Sequence, residues 1–207
     1  MMVVGLTGSI AMGKSEVAKT ISQLGIPVFD ADKEVHKLYD SPEGVKLLLD
    51  FAPETIIENH VNRQRLSAVV LNDPVRLAQL ETIVHAEIAK HRDKFLVEAK
   101  RAGHGIVVLD IPLLFEKNLT AATDITVVVS APENLQHQRA LARPGMTMQR
   151  LETILERQMP DAEKRRRADH VIENHGTLQD LELKTRSLFY RLAQTQEMRP
   201  NDPRNCT

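Results

Sequence analysis

Val3-Val4-Gly5-Leu6-Thr7-Gly8-Ser9-Ile10-Ala11-Met12-Gly13-Lys14-Ser15 decides the fold of this chain. Its apolar start reads as a strand buried on both faces, the form that parallel strands covered by helices take. Gly8 to Ser15 then matches G-x-x-x-x-G-K-[ST], a loop whose backbone N–H groups cradle phosphates. Gly8 lets the chain leave the strand in a tight turn. Beyond Lys14, the apolar residues Val17, Ala18, Ile21 and Leu24 recur at helical spacing up to a stop at Gly25. Strand, glycine-bounded loop and helix together aim the positive end of a helix dipole at a bound anion. Lys14 is placed to reach the β- and γ-phosphates, and the Ser15 hydroxyl to ligate Mg²⁺. Glu16, one residue further on, is expected to face solvent, since a carboxylate aimed at phosphate would repel it. An alanine at position 11 carries a cost on the order of 1 kcal/mol if the loop requires a positive φ there.

Working outward, strand and helix signals alternate. Strand one covers residues 2–8, helix one about 13–24, and a short strand begins at Ile26 and ends at Asp30-Ala31-Asp32. A helix continues to Tyr39, and Asp40-Ser41-Pro42-Glu43-Gly44 breaks it. From 43 to 103 the pattern is helical throughout, closing with a long helix that Asp73 caps and Pro74 opens. Sixty helical residues between two strands exceed a simple crossover and read as an insertion. Buried β-branched strands follow at 105–110 and 124–129, then a helix at 132–143. Two charged helical pieces, split at Met159-Pro160, a strand at 170–173 and a final helix complete the chain. The expectation is a three-layer α/β fold with a parallel sheet and right-handed crossovers. It forms a single domain over 1–196, with a core at 1–30, 104–139 and 168–196. An insertion occupies 31–103, a helical lid 140–167, and residues 197–207 form a disordered tail.

Composition narrows the function. With 27 Lys+Arg against 28 Asp+Glu, the net charge of −1 gives no overall attraction for nucleic acid. The one cysteine, Cys206, cannot form an intrachain disulfide, which fits a reducing, cytoplasmic setting. No apolar run approaches 18 residues, and the chain enters its first strand without a basic leader. The eight histidines show no metal-ligand spacing; His85 reads as a partly buried helix residue or as a substrate contact. The basic residues of 139–167 read mostly as a solvated helical face. Arg143, ahead of the Pro144-Gly145 turn, is the one suited to swing onto a γ-phosphate.

Two acidic sites stand at strand ends, the edge where open α/β sheets bind ligands. Asp30 and Asp32 would face one way in an extended chain; either can cap the next helix, while the other reaches an acceptor hydroxyl. Asp110, ending its strand, reads either as a carboxylate that holds Mg²⁺ through water or as an aspartate that caps the following loop. Glu116 follows the apolar loop Pro112-Leu113-Leu114-Phe115. A signalling GTPase would show D-x-x-G and N-K-x-D. Leu113 stands three residues after Asp110, and N-K-x-D is absent, so a small-molecule kinase is the reading, with other acceptors on the same core as the alternative.

These residues resemble the dephospho-coenzyme A kinase family. The likeness rests on the phosphate loop, on Asp30-Ala31-Asp32 with His36 and Leu38, and on Arg63 and Ile83-Val84-His85. It continues through Asp110-Ile111-Pro112-Leu113-Leu114-Phe115-Glu116, Arg139, Arg143-Pro144-Gly145-Met146-Thr147, Arg157-Gln158, Lys164 and Ala168-Asp169-His170-Val171-Ile172-Glu173-Asn174. It implies Mg²⁺- and ATP-dependent phosphorylation of the ribose 3′-hydroxyl of dephospho-CoA, by a monomer or small homo-oligomer with no membrane or nucleic-acid partner. By that likeness Asp32 is the general base, and Lys14 and Arg143 hold the transferring phosphoryl group. Gly8, Ala11, Met12, Gly13, Lys14, Ser15 and Glu16 bind ATP, with Asn174 and Gly176 toward its adenine. Arg63, His85 and Glu116 then meet the CoA substrate. The family usually has Gly, Thr and Pro where this chain has Ala11, Glu16 and Ala86.

Overall fold

The computed structural model describes residues 1–71 and 73–197. The expected tail, Cys206 included, falls at 198–207 outside them, while Glu197 itself ends the last helix. The chain divides into two compact units: residues 1–29 with 99 onward, and residues 30–98.

A five-stranded sheet organises the first unit. Its strands are β1 (Met2–Thr7), β2 (Val28–Asp30), β5 (Ile106–Asp110), β6 (Ile125–Ser130) and β7 (His170–Glu173), in the order β2-β5-β1-β6-β7. β1 pairs in parallel with β5 and β6, and β6 with β7, so Leu6 lies opposite Asp110 and Thr7 opposite Val128. Strand order reverses at β1, the type of position where ligands bind. Val4, Leu6, Val108, Val127 and Val129 are closed off from solvent. They pack with Val17 and Ile21 of α1 (Lys14–Gln23) and with Leu181, Leu188, Phe189 and Leu192 of α9 (Leu178–Glu197). The expected α1 stripe holds except at its end, where Leu24 is exposed because the helix has already stopped at Gln23.

The unit 30–98 has its own core, in which Leu38, Leu48 and Ala52 are fully buried with Val45, Leu66, Val70, Leu80 and Val84 around them. Its helices are α2 (Ala31–Tyr39), α3 (Pro42–Leu49), α4 (Arg63–Leu71) and most of α5 (Pro74–Arg101). Asp73 Oδ1 accepts the N–H groups of Val75 and Arg76, both at 3.0 Å, so α5 is capped as its sequence predicts. The expected break after Tyr39 holds, since α2 ends there, but it is only two residues long and Gly44 is not part of it. Ser41 caps α3, accepting the Gly44 N–H at 3.1 Å, and Gly44 lies inside α3 against the Leu38 carbonyl. Contrary to expectation, 43–103 is not all helical: β3 (Ile56–Ile57) and β4 (His60–Val61) form an antiparallel hairpin. Its two turn residues, Glu58 and Asn59, both have positive φ, 48° and 63°, as a tight hairpin turn demands. No glycine marks that turn, so its strongest sequence signal is missing.

Candidate active site

The phosphate loop leaves β1 at Thr7 and enters α1 at Lys14. Gly8 is required by space rather than by φ: a Cβ there would stand 2.7 Å from the Val129 carbonyl oxygen. Gly13 has φ +100° and is the N-cap of α1, with no side chain bonded to the first turn. The N–H groups of that turn are therefore not taken by a side-chain cap, which suits them to an anion. Ala11 has φ +61°, the left-handed conformation that L-residues avoid, and it is buried. Glu16 points outward, its carboxylate 4.0 Å from the Lys19 ammonium.

The Lys14 ammonium lies 2.5 Å from Asp110 Oδ1, and Asp110 is only 2% exposed at the end of β5. The pairing follows from the sheet, since parallel neighbours β1 and β5 end at one edge. Behind the loop, the buried Asn174 donates from Nδ2 to the Met12 carbonyl at 2.9 Å. Arg139, from α6 (Glu133–Leu141), donates to the Asn174 carbonyl at 3.2 Å and to its Oδ1 at 3.4 Å. Asn174 is thus bonded to the phosphate loop itself, while Gly176 is exposed two residues on. Arg143, just past α6, is exposed, and Gly145 turns the chain with φ +72°. Thr147 then caps α7 (Met148–Glu156), accepting the Arg150 N–H at 3.2 Å.

Beneath these groups lies an exception to the mostly solvated basic face of 139–167. Lys164, on α8 (Asp161–Arg167), is not part of a solvated basic face. Its side chain is fully buried, with the ammonium 2.9 Å from Glu116 Oε1 and 3.4 Å from the Pro112 carbonyl. Glu116 Oε1 also accepts the Met159 N–H at 2.7 Å. The Pro112 carbonyl in turn accepts the Thr7 hydroxyl at 2.9 Å. A lysine among three arginines gives no hint of this; only the i, i+3 and i+4 pairing of Glu163 with Arg166 and Arg167 marks which face stays wet.

Within 30–98, the two aspartates separate cleanly. Asp30 is the N-cap of α2 and accepts the Lys33 N–H at 3.0 Å. The helix starts at Ala31, so 30 and 32 do not share an extended face; Asp32 stands in the first turn, exposed and apart from the cap role. Arg63 approaches His36 Nδ1 at 2.6 Å and donates to the His36 carbonyl at 3.0 Å and Asp40 Oδ2 at 2.7 Å. His85 is exposed on an unbroken α5, not partly buried. Ligand atoms of Glu43, Glu87 and His91 lie within 4.8 Å of one another. The Lys90 ammonium, 2.7 Å from Glu87, serves that charge and holds the Glu87 carboxyl below its ordinary pKa.

A glycine-bounded phosphate loop on this parallel sheet, with its lysine against a strand-end aspartate, defines a P-loop nucleotide-binding protein. Comparison with known proteins narrows the class. The family model for Dephospho-CoA kinase matches residues 2–180, and the chain belongs to that family. A Dephospho-CoA kinase of Brucella melitensis is 46% identical over 181 residues, which is 87% of this chain and 90% of the relative. The crystal structure of a Thermus thermophilus protein superposes with a TM-score of 0.78 at 36% identity, covering 93% of this chain and 97% of that one. The Dephospho-CoA kinase of Campylobacter jejuni, 23% identical with a TM-score of 0.71 over 93% and 98% of the two chains, shares the fold. Among the described residues no helix is long and apolar enough to cross a membrane.

Proposed function

We propose that this chain transfers the γ-phosphoryl group of ATP to the ribose 3′-hydroxyl of dephospho-CoA, giving coenzyme A, with Lys14, Arg143 and Asp32 at the reacting end. Family membership supports the reaction. The observation that carries the chemistry is the Lys14–Asp110 contact at the mouth of the phosphate loop.

Phosphoryl transfer asks the protein for alignment and charge stabilisation more than for covalent help. Lys14 and the exposed Arg143 supply cationic donors to the transferring group, Arg143 from the lid at 140–167. The loop from Gly8 to Glu16 cradles the phosphates, and the Asn174–Gly176 segment borders the adenine. Asp32, free of the capping role that Asp30 fills, accepts the hydroxyl proton as the new P–O bond forms. Arg63 and His85 serve the CoA substrate from the insertion at 31–103. Glu116 is assigned to the same substrate, and its bond to Lys164 fixes the loop that follows Asp110.

The Ser15 hydroxyl and the Asp110 carboxylate are oxygen donors, a set that suits a hard cation such as Mg²⁺. Ser15 would ligate that ion directly and Asp110 would hold it through water, and the ion would supply neutralisation of phosphate charge. The near balance of acidic and basic residues supports a reading without nucleic-acid partners, and family membership supports a cytoplasmic small-molecule enzyme, monomeric or a small homo-oligomer. ADP release from Mg·ATP tests the reading, with adenosine, AMP and pantetheine as comparison acceptors. Stimulation by dephospho-CoA alone, with a product one phosphate heavier, is expected. Stimulation by another acceptor instead reassigns the substrate.

A further inference from the structure

Ile10 of the phosphate loop is gripped through both of its backbone polar groups, which belong to the two successive peptide units on either side of it. The Ile10 N–H donates to Gln158 Oε1 at 3.0 Å, and the Ile10 carbonyl accepts from Gln136 Nε2 at 2.9 Å. Gln136 lies on α6 and is 5% exposed. Gln158 stands two residues past α7, where its own N–H is tied to the Leu155 carbonyl at 3.0 Å. Its neighbour Met159 is anchored by Glu116, and Glu116 by the buried Lys164. The grip therefore reaches from the loop into the base of the lid.

The residue after Ile10 explains why such a grip is needed. Ala11 holds φ +61°, a conformation that a free L-residue leaves readily. Its side chain packs with Ala140 and Leu151, which come from the same two helices as the glutamines or from beside them. On its other flank, the Met12 N–H donates to the Ser9 carbonyl at 3.2 Å, and one peptide further on the Met12 carbonyl is held by Asn174. Ala11 is thus bracketed by bonded peptides, and the N–H groups that follow it keep their direction.

We propose that Gln136 and Gln158 are positioning residues for nucleotide binding: they fix the two peptides on either side of Ile10, hold Ala11 in its left-handed conformation, and so set the affinity of the loop for ATP. Neither touches the reacting atoms. The proposal rests on the kinase reading above.

Because the two bonds run in opposite directions, one substitution separates them. A carboxylate accepts hydrogen bonds and cannot donate. Glu at 158 still accepts the Ile10 N–H; Glu at 136 turns a donor into an acceptor facing a carbonyl. Both add one negative charge near the loop, so charge alone acts on both. Dissociation constants for Mg·ATP, by calorimetry on the full chain, are the readout. We expect Gln136→Glu to weaken binding roughly tenfold or more beyond Gln158→Glu, the size of one lost buried hydrogen bond. The loss should fall on the KM for ATP and not on that for dephospho-CoA. Gln136→Met and Gln158→Met, which remove each bond without adding charge, should both weaken ATP. Equal effects of the two glutamates, or ATP affinity retained in both methionine variants, overturns the proposal while the kinase reading stands. Wild-type protein that binds no Mg·ATP overturns both.

Discussion

Lys164 Nζ stands 2.9 Å from Glu116 Oε1, and the lysine side chain has no exposed surface. This buried pair ties α8 to the loop after β5, because the same carboxylate oxygen receives the Met159 N–H. Removing one member leaves the other charged and dry. Lys164→Met should cost about 3–5 kcal/mol of stability. The double variant with Glu116→Gln should regain most of it, since two neutral groups carry no uncompensated charge. Urea unfolding of the single and double variants measures this; a single variant as stable as wild type contradicts it.

Asp32 and Asp30 should respond to substitution in different currencies. Asp32→Asn is expected to lower kcat by about 10²–10⁴, the usual worth of a positioned base, with ATP affinity nearly intact. Asp30→Ala should cost about 0.5–2 kcal/mol of stability, since it removes the cap on the Lys33 N–H. Steady-state kinetics beside thermal melts separates the two; near-normal turnover in Asp32→Asn removes it from the base role.

Lys14→Ala should lose both ATP binding and turnover, as a phosphate-loop lysine serves ground state and transition state alike. Unaltered nucleotide binding by calorimetry contradicts the loop assignment.

Ala11→Gly relieves the left-handed strain of about 1–2 kcal/mol. Glycine also gives the unfolded chain about 0.4–1 kcal/mol of added freedom. The net expectation is a gain on the order of 0.5 kcal/mol, read as a raised urea midpoint with an unchanged slope. A clear loss of stability means that the buried methyl group, packed on Ala140 and Leu151, outweighs the strain.

Acid should act through Asp169. Burial raises its carboxyl pKa, but the hydroxyl and N–H of Thr126 outweigh that, and the pKa lies below the ordinary aspartate value. The stabilisation is therefore complete above about pH 4 and is lost as pH falls through the depressed folded value. Asp169→Asn should be less stable at pH 7, with a shallower loss of stability on acidification. Parallel pH curves for the two proteins contradict the assignment.

The parallel-strand core, the phosphate loop and the cap of α5 were legible in the sequence because each depends on neighbours a few residues apart. Buried strands need unbroken β-branched runs, a phosphate turn needs its two glycines, and a cap needs one aspartate before a proline. The family likeness was legible for the same reason, being carried by short motifs. Tertiary structure alone decided the rest. Asp30 rather than Asp32 caps α2 because the helix starts at Ala31. Gly44 sits inside α3 because a helix packs on the Leu38 carbonyl there. Lys164 turns inward, unlike its arginine neighbours, because Glu116 waits 48 positions earlier in the chain. The grip on Ile10 joins residues 126 and 148 positions apart. No local pattern records such pairings, since their energy comes from burying polar groups that meet only once the sheet and helices are assembled.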